Sequence, residues 1–90
     1  MLELRHLRSL VAIAETGNLS KAGKRLNLSQ PALSHQMKAL EDYLGVELFQ
    51  RKSNPLRLSP AGERLIGTAY DVEKLVMQCE RDVARIADGK

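Results

Sequence analysis

The sequence predicts a mainly α-helical chain in which three short helices and a small β-hairpin are followed by one long helix. Three observations predict it. Apolar residues recur at spacings of three and four through most of the 90 residues, which marks amphipathic helices. The rhythm breaks around Lys52-Ser53-Asn54-Pro55, where turn formers stand between short apolar runs. It resumes after Ser59-Pro60 and continues without a further proline.

Leu4, Leu7, Leu10 or Val11, and Ala14 give a first helix from about Leu2 to Thr16, which Gly17 ends. Asn18 is the next cap, and Leu19, Ala22, Gly23 and Leu26 form the apolar side of a short second helix. Lys21, Lys24 and Arg25 lie on its other side. Asn27-Leu28-Ser29 is a tight turn into a third helix with both ends marked. There Ser29 is a preferred N-cap, Pro31 falls in the first turn where its missing N–H costs little, and Gly45 suits the left-handed position past the end. Leu33, Met37, Leu40 and Leu44 make its core-facing stripe. Two helices joined by so short a turn form a helix-turn-helix pattern.

The opposite side of the third helix carries Gln30, Pro31, Ser34, His35 and Lys38, with no acid before Glu41 and Asp42. A small-sided, polar, acid-free helix end is what a DNA major groove accepts. An ordinary solvated face is the alternative. After Gly45 the period shortens, and Val46–Arg51 and Leu56–Leu58 predict two short strands. Arg51, Lys52 and Arg57 at the hairpin tip and edges make it a basic wing. A plain surface hairpin is the alternative here.

Ser59-Pro60 starts the last helix. Leu65, Ala69, Val72, Val76, Cys79, Val83 and Ile86 follow at alternating spacings of four and three, giving three heptads of narrow apolar seam. A helix of about 40 Å exceeds what a small body covers, so pairing with a second chain is the economical reading of these seven positions. The first turns pack back on their own domain, since Leu65 and Ile66 are both apolar.

Charge agrees with this division. Residues 1–58 hold nine Lys/Arg against five Asp/Glu, and residues 59–90 hold five against six. The basic part is the compact part, which favours a polyanionic partner. A single cysteine excludes an internal disulfide and a cysteine-rich zinc site, and favours a reducing, cytoplasmic setting. No apolar run reaches membrane-spanning length, and Glu3, Arg5, His6 and Arg8 interrupt any signal peptide. The two histidines lie on different elements and no glycine-rich phosphate loop occurs, so no enzyme, metal or cofactor is expected.

Chemistry assigns the candidate contacts. Gln30 can bond adenine in paired fashion, Ser34 can reach either kind of base edge, and Pro31 can lie against a thymine methyl, with His35 beside them. Lys38, Arg51 and Lys52 suit phosphates, and the wing with Ser53 is free to enter a minor groove. Ser29 is foremost a cap, and for Ser20 capping and phosphate contact weigh equally. His6 is read as a surface or interface residue, Cys79 as a small core residue, and Tyr43 and Tyr70 as packing residues with wet hydroxyls.

The succession Asn18-Leu19-Ser20-Lys21-Ala22, Leu28-Ser29-Gln30-Pro31-Ala32-Leu33-Ser34, Leu40-Glu41, Leu44-Gly45, Leu48-Phe49-Gln50-Arg51 and Leu58-Ser59-Pro60-Ala61-Gly62 closely resembles the N-terminal region of LysR-type transcriptional regulators. The match covers essentially the whole chain. Ser34-His35-Gln36 and Phe49–Arg57 resemble most the branch that regulates methionine biosynthesis. The resemblance implies a mainly α, winged helix-turn-helix DNA-binding domain over residues 1–58 and a linker and dimerisation helix over residues 59–90. It also implies a C-terminal effector-binding domain, which is absent here, so the chain is expected to be a fragment cut at the end of the linker. Two departures stand out. His35 occupies a position more often arginine in the family, and Gly23 one more often alanine, where glycine costs about 1 kcal/mol unless close packing needs it.

The expected function is sequence-specific binding of double-stranded DNA as a homodimer on a pseudo-palindromic site, regulating transcription. Assembly beyond the dimer would involve the missing part. The rivals are a winged-helix protein–protein adaptor and a non-specific nucleic-acid binder.

Overall fold

The computed structural model describes residues 1–89; Lys90, the last residue of the expected 59–90 linker, lies outside them. Six elements follow in order: α1 (Leu4–Thr16), α2 (Leu19–Leu26), α3 (Gln30–Leu44), β1 (Phe49–Gln50), β2 (Arg57–Leu58) and α4 (Pro60–Asp88). α1 is the central helix and packs on α2, α3 and α4, while α2 packs on α3 and β2 lies against α4. The core between them holds Leu10, Ile13, Ala22, Leu33, Met37, Leu40, Leu48, Phe49, Ile66 and Ala69.

The caps are where local chemistry puts them. Asn18 Oδ1 accepts the Lys21 N–H at 3.0 Å, Ser29 Oγ that of Ala32 at 3.2 Å, and Ser59 Oγ that of Gly62 at 3.1 Å. Gly45 ends α3 with φ +73°, a conformation that costs a side-chain-bearing residue and suits glycine. Asn27 adopts the same left-handed form (φ 59°) between α2 and α3. Behind it the Leu28 N–H donates to Gly23 O at 2.8 Å. A Cβ on Gly23 would stand 2.6 Å from the Leu28 carbonyl oxygen, so close packing accounts for the glycine.

Several expectations are corrected. α1 starts at Leu4 rather than Leu2. His6 is buried, and its Nδ1 accepts the Glu3 N–H at 2.9 Å, closing the first turn. The strands are two residues each, paired antiparallel as Phe49 with Leu58 and Gln50 with Arg57. Residues 46–48 do not extend β1 because their backbone groups bond elsewhere. The N–H groups of Val46 and Leu48 go to Glu41, and the Leu48 carbonyl accepts from Ser59 N–H at 2.9 Å. The wing is tied back to the body by the Leu56 N–H donating to Gly17 O at 3.0 Å. Leu44, the last stripe position of α3, is exposed, and Tyr43 is 63% exposed rather than packed.

The seam of α4 divides. Ala69 is 0% exposed in the core of its own domain, with Leu65 and Val72 packed against that core. Ala69 therefore offers a second chain no surface, against the expectation for that position. Val76 is half-buried, whereas Cys79 is exposed, with Val83 at 59% and Ile86 at 77%. Cys79 is thus no core residue of this chain. The 29 residues of α4 span about 43 Å, and roughly the second half of the helix runs clear of the body.

Candidate nucleic-acid interface

The front of α3 is built by three decisions of sequence. Ser29 and Pro31 start the helix at a defined residue, and Leu33, Met37 and Leu40 turn one side into the core. The periodicity of the helix then leaves Gln30, Pro31, His35 and Lys38 exposed, with Ser34 half-buried beside them. These five expected residues are brought together on one helix. Ser29 is the cap, with its hydroxyl used inside the turn. Ser20 is exposed in the first turn of α2, where Asn18 rather than Ser20 is the cap.

α3 is held at its middle and near its C-terminal end by polar contacts that its amphipathic stripe does not reveal. Ser9 Oγ of α1 donates to Gln36 Oε1 at 2.5 Å, midway along the helix. Near the C-terminal end, Glu41 is 6% exposed; its Oε2 accepts the Leu48 N–H at 2.7 Å and its Oε1 pairs with the Arg51 guanidinium. Glu41 is the residue that sequence reasoning missed. The signal was its place four residues after Met37, on the buried stripe and not on the solvated side.

The wing is also more constrained than its composition indicates. Ser53 Oγ donates to Gln50 O at 2.7 Å and accepts the Arg57 N–H at 3.0 Å, so this hydroxyl closes the hairpin instead of standing free for a phosphate. Lys52 and Arg57 are exposed. Arg51, expected as a plain phosphate contact in an acid-free wing, is instead paired with Glu41. Lys38 and Arg51 line one shallow cleft with Glu41, Asp42 and Glu47, so cations and acids meet at the junction of α3 and the wing. On the far side, Glu15 at the end of α1 accepts from Arg25 of α2 at 2.6 Å and from the Tyr70 hydroxyl of α4 at 3.2 Å. Desolvation first, and then that carboxylate, raise the Tyr70 phenol above its ordinary range.

A three-helix body with a two-stranded wing and a long terminal helix defines the class as a winged helix-turn-helix protein. Residues 4–63 match the family described as bacterial regulatory helix-turn-helix protein, lysR family, and the chain belongs to it. It is 54% identical over 88 residues to the HTH-type transcriptional regulator MetR of Haemophilus influenzae, an alignment covering 98% of this chain and 28% of that protein. With MetR of Escherichia coli the identity is 45% over 78 residues, covering 87% and 25%. The chain thus spans about a quarter of the length of these relatives. Among solved structures it is similar to the complex of BenM DBD with benA site 1 DNA, at 38% identity and a TM-score of 0.90, over 99% of this chain and 100% of that one.

Proposed function

We propose that this chain binds double-stranded DNA sequence-specifically as a homodimer and regulates transcription from the bacterial cytoplasm. The observation that carries the reading is the exposed, acid-free front of α3, set beside a wing whose Lys52 and Arg57 are exposed. Gln30, Pro31, Ser34 and His35 read base edges, and Lys38, Arg51 and Lys52 meet phosphates, with Ser20 and Ser29 near the backbone. Residues 1–58 form the DNA-binding unit, and residues 59–90 the linker that joins two chains. The identity to two regulators named MetR supports placing the chain in the methionine-biosynthesis branch that its sequence resembles.

The dimer rests on the exposed part of the seam, Cys79, Val83 and Ile86, which no part of the described body covers, with half-buried Val76 at its edge. A cavity between α1 and α4, lined by Leu4, Arg8, Glu73, Val76, Met77 and Glu80, continues it. There Glu73 Oε2 is buried with no hydrogen-bond partner among the described residues, and a donor from a second chain would satisfy it.

Selection of random duplexes by the purified chain at physiological salt, read by sequencing, tests this. An inverted repeat is the expected product. Strong low-salt binding with no enriched motif would leave only a non-specific binder, and no binding at any salt would favour the adaptor.

A further inference from the structure

We infer that Glu41 is a positioning residue for sequence discrimination: it aims the Arg51 guanidinium and cancels part of its charge, so that the wing engages phosphate only in register. The inference rests on the DNA-binding reading above.

Glu41 holds the whole junction between α3 and β1. Its backbone carbonyl accepts from Gly45 N–H at 2.8 Å and Val46 N–H at 3.2 Å. Its carboxylate takes the Leu48 N–H on Oε2 and the Arg51 guanidinium on Oε1. The segment from Gly45 to Arg51 is therefore pinned at four groups to the helix whose front faces the bases. Only the carboxylate reaches Arg51, and it is 6% exposed while the Arg51 side chain remains 39% exposed. One guanidinium nitrogen, Nη2, is spent on a buried anion, and part of the side chain stays open to solvent.

Two consequences follow from elementary electrostatics. A guanidinium held at a fixed offset from α3 meets a phosphate only where α3 sits correctly in the groove, so the contact rewards register. A free guanidinium finds phosphates on any duplex, because backbone charge is the same everywhere. The adjacent carboxylate also lowers the net charge that arginine presents, which weakens attachment to arbitrary sequence more than it weakens a contact made in one geometry. Glu41 thus acts against non-specific binding from a position that touches no DNA.

The test measures affinity for the duplex recovered by selection and for a scrambled duplex, each across a salt series, with Glu41→Gln, Arg51→Gln and the double variant. Glutamine at 41 keeps an acceptor for the Leu48 N–H and removes the charge. The expected result for Glu41→Gln is a specific-to-scrambled affinity ratio about tenfold lower, with scrambled binding stronger and its salt slope steeper by up to about 1. The double variant should match Arg51→Gln alone, since Glu41 works through that guanidinium. Loss of both affinities in equal proportion, or an unchanged slope and ratio, would overturn the inference. Should Glu41→Gln fail to fold by circular dichroism, Glu41→Asp keeps the charge but shortens its reach. It should lower the ratio in the same direction, and an unchanged ratio would overturn the inference. If the wild-type chain itself prefers no duplex, the DNA-binding reading fails first and takes this inference with it.

Discussion

Gly62 of α4 lies directly against the carbonyl oxygen of Leu48, at the point where the wing leaves α3 and the long helix begins. The same oxygen accepts the Ser59 N–H at 2.9 Å, and a Cβ on residue 62 would overlap it while also meeting Leu58 Cβ and Cδ2 at 3.2 Å. Gly62→Ala is therefore expected to destabilise the fold by about 3 kcal/mol, since backbone on one side and a packed leucine on the other leave no room to give. Urea unfolding followed by circular dichroism checks this. An unchanged midpoint would mean that the start of α4 slides freely past the wing.

The divided seam makes two aspartate substitutions opposite in effect. Ala69→Asp places a charge in the core of its own domain and should abolish folding. Ile86→Asp changes an exposed position and should leave thermal unfolding of dilute protein unaltered while weakening self-association at least about tenfold. Sedimentation over a concentration series alongside thermal melts separates the two. Association of the Ile86 variant equal to that of the wild type would place the dimer contact elsewhere.

Base-reading and phosphate-holding residues should separate by salt. Gln30→Ala is expected to lower affinity for the selected duplex while leaving scrambled duplex unaffected, and to relax preference at one base position by about 1–3 kcal/mol. Lys52→Ala should weaken both alike and reduce the slope of log affinity against log salt by about 0.9. Fluorescence anisotropy titrations at several salt concentrations give both quantities.

His6 supplies a pH dependence of stability. Burial, then the neighbouring Arg5 charge, hold its imidazole below the ordinary value of 6.5, and its neutral Nδ1 accepts the Glu3 N–H. The folded state thus binds a proton less readily than the unfolded chain. The contribution is full above 6.5 and is lost as pH falls through the lower folded value. Unfolding free energy should therefore decline as pH falls from 6.5 toward that lower value and level off beneath it, and a His6→Gln variant should lack this component. Parallel slopes for the two proteins would count against the assignment.

Much of the fold was legible because its signals are local. Asn18, Ser29 and Ser59 declare helix starts through a hydroxyl or amide that bonds an N–H three residues on. Gly17 and Gly45 declare ends, and spacings of three and four declare faces. These same signals place Gln30, Pro31, Ser34, His35 and Lys38 on one surface, so the candidate interface on α3 needed no knowledge of what packs behind it. In the sequence Gly23 reads only as a cost, because the Leu28 oxygen that fills its space comes from the far side of a turn.

What the amino-acid sequence determined by itself is the order of elements, their caps, the exposed front of α3 and the charge division between residues 1–58 and 59–90. The tertiary structure decided the rest. It buries Ala69 and leaves Ile86 bare on one uninterrupted seam, draws the Glu41 carboxylate under the wing to meet Arg51, spends the Ser53 hydroxyl inside the hairpin, and keeps the strands to two residues each. The physical reason is the same in each case. A cap or a helical period is satisfied within one turn of the residue that encodes it. Burial of a side chain and pairing of a backbone group depend on which distant segment arrives to compete for them.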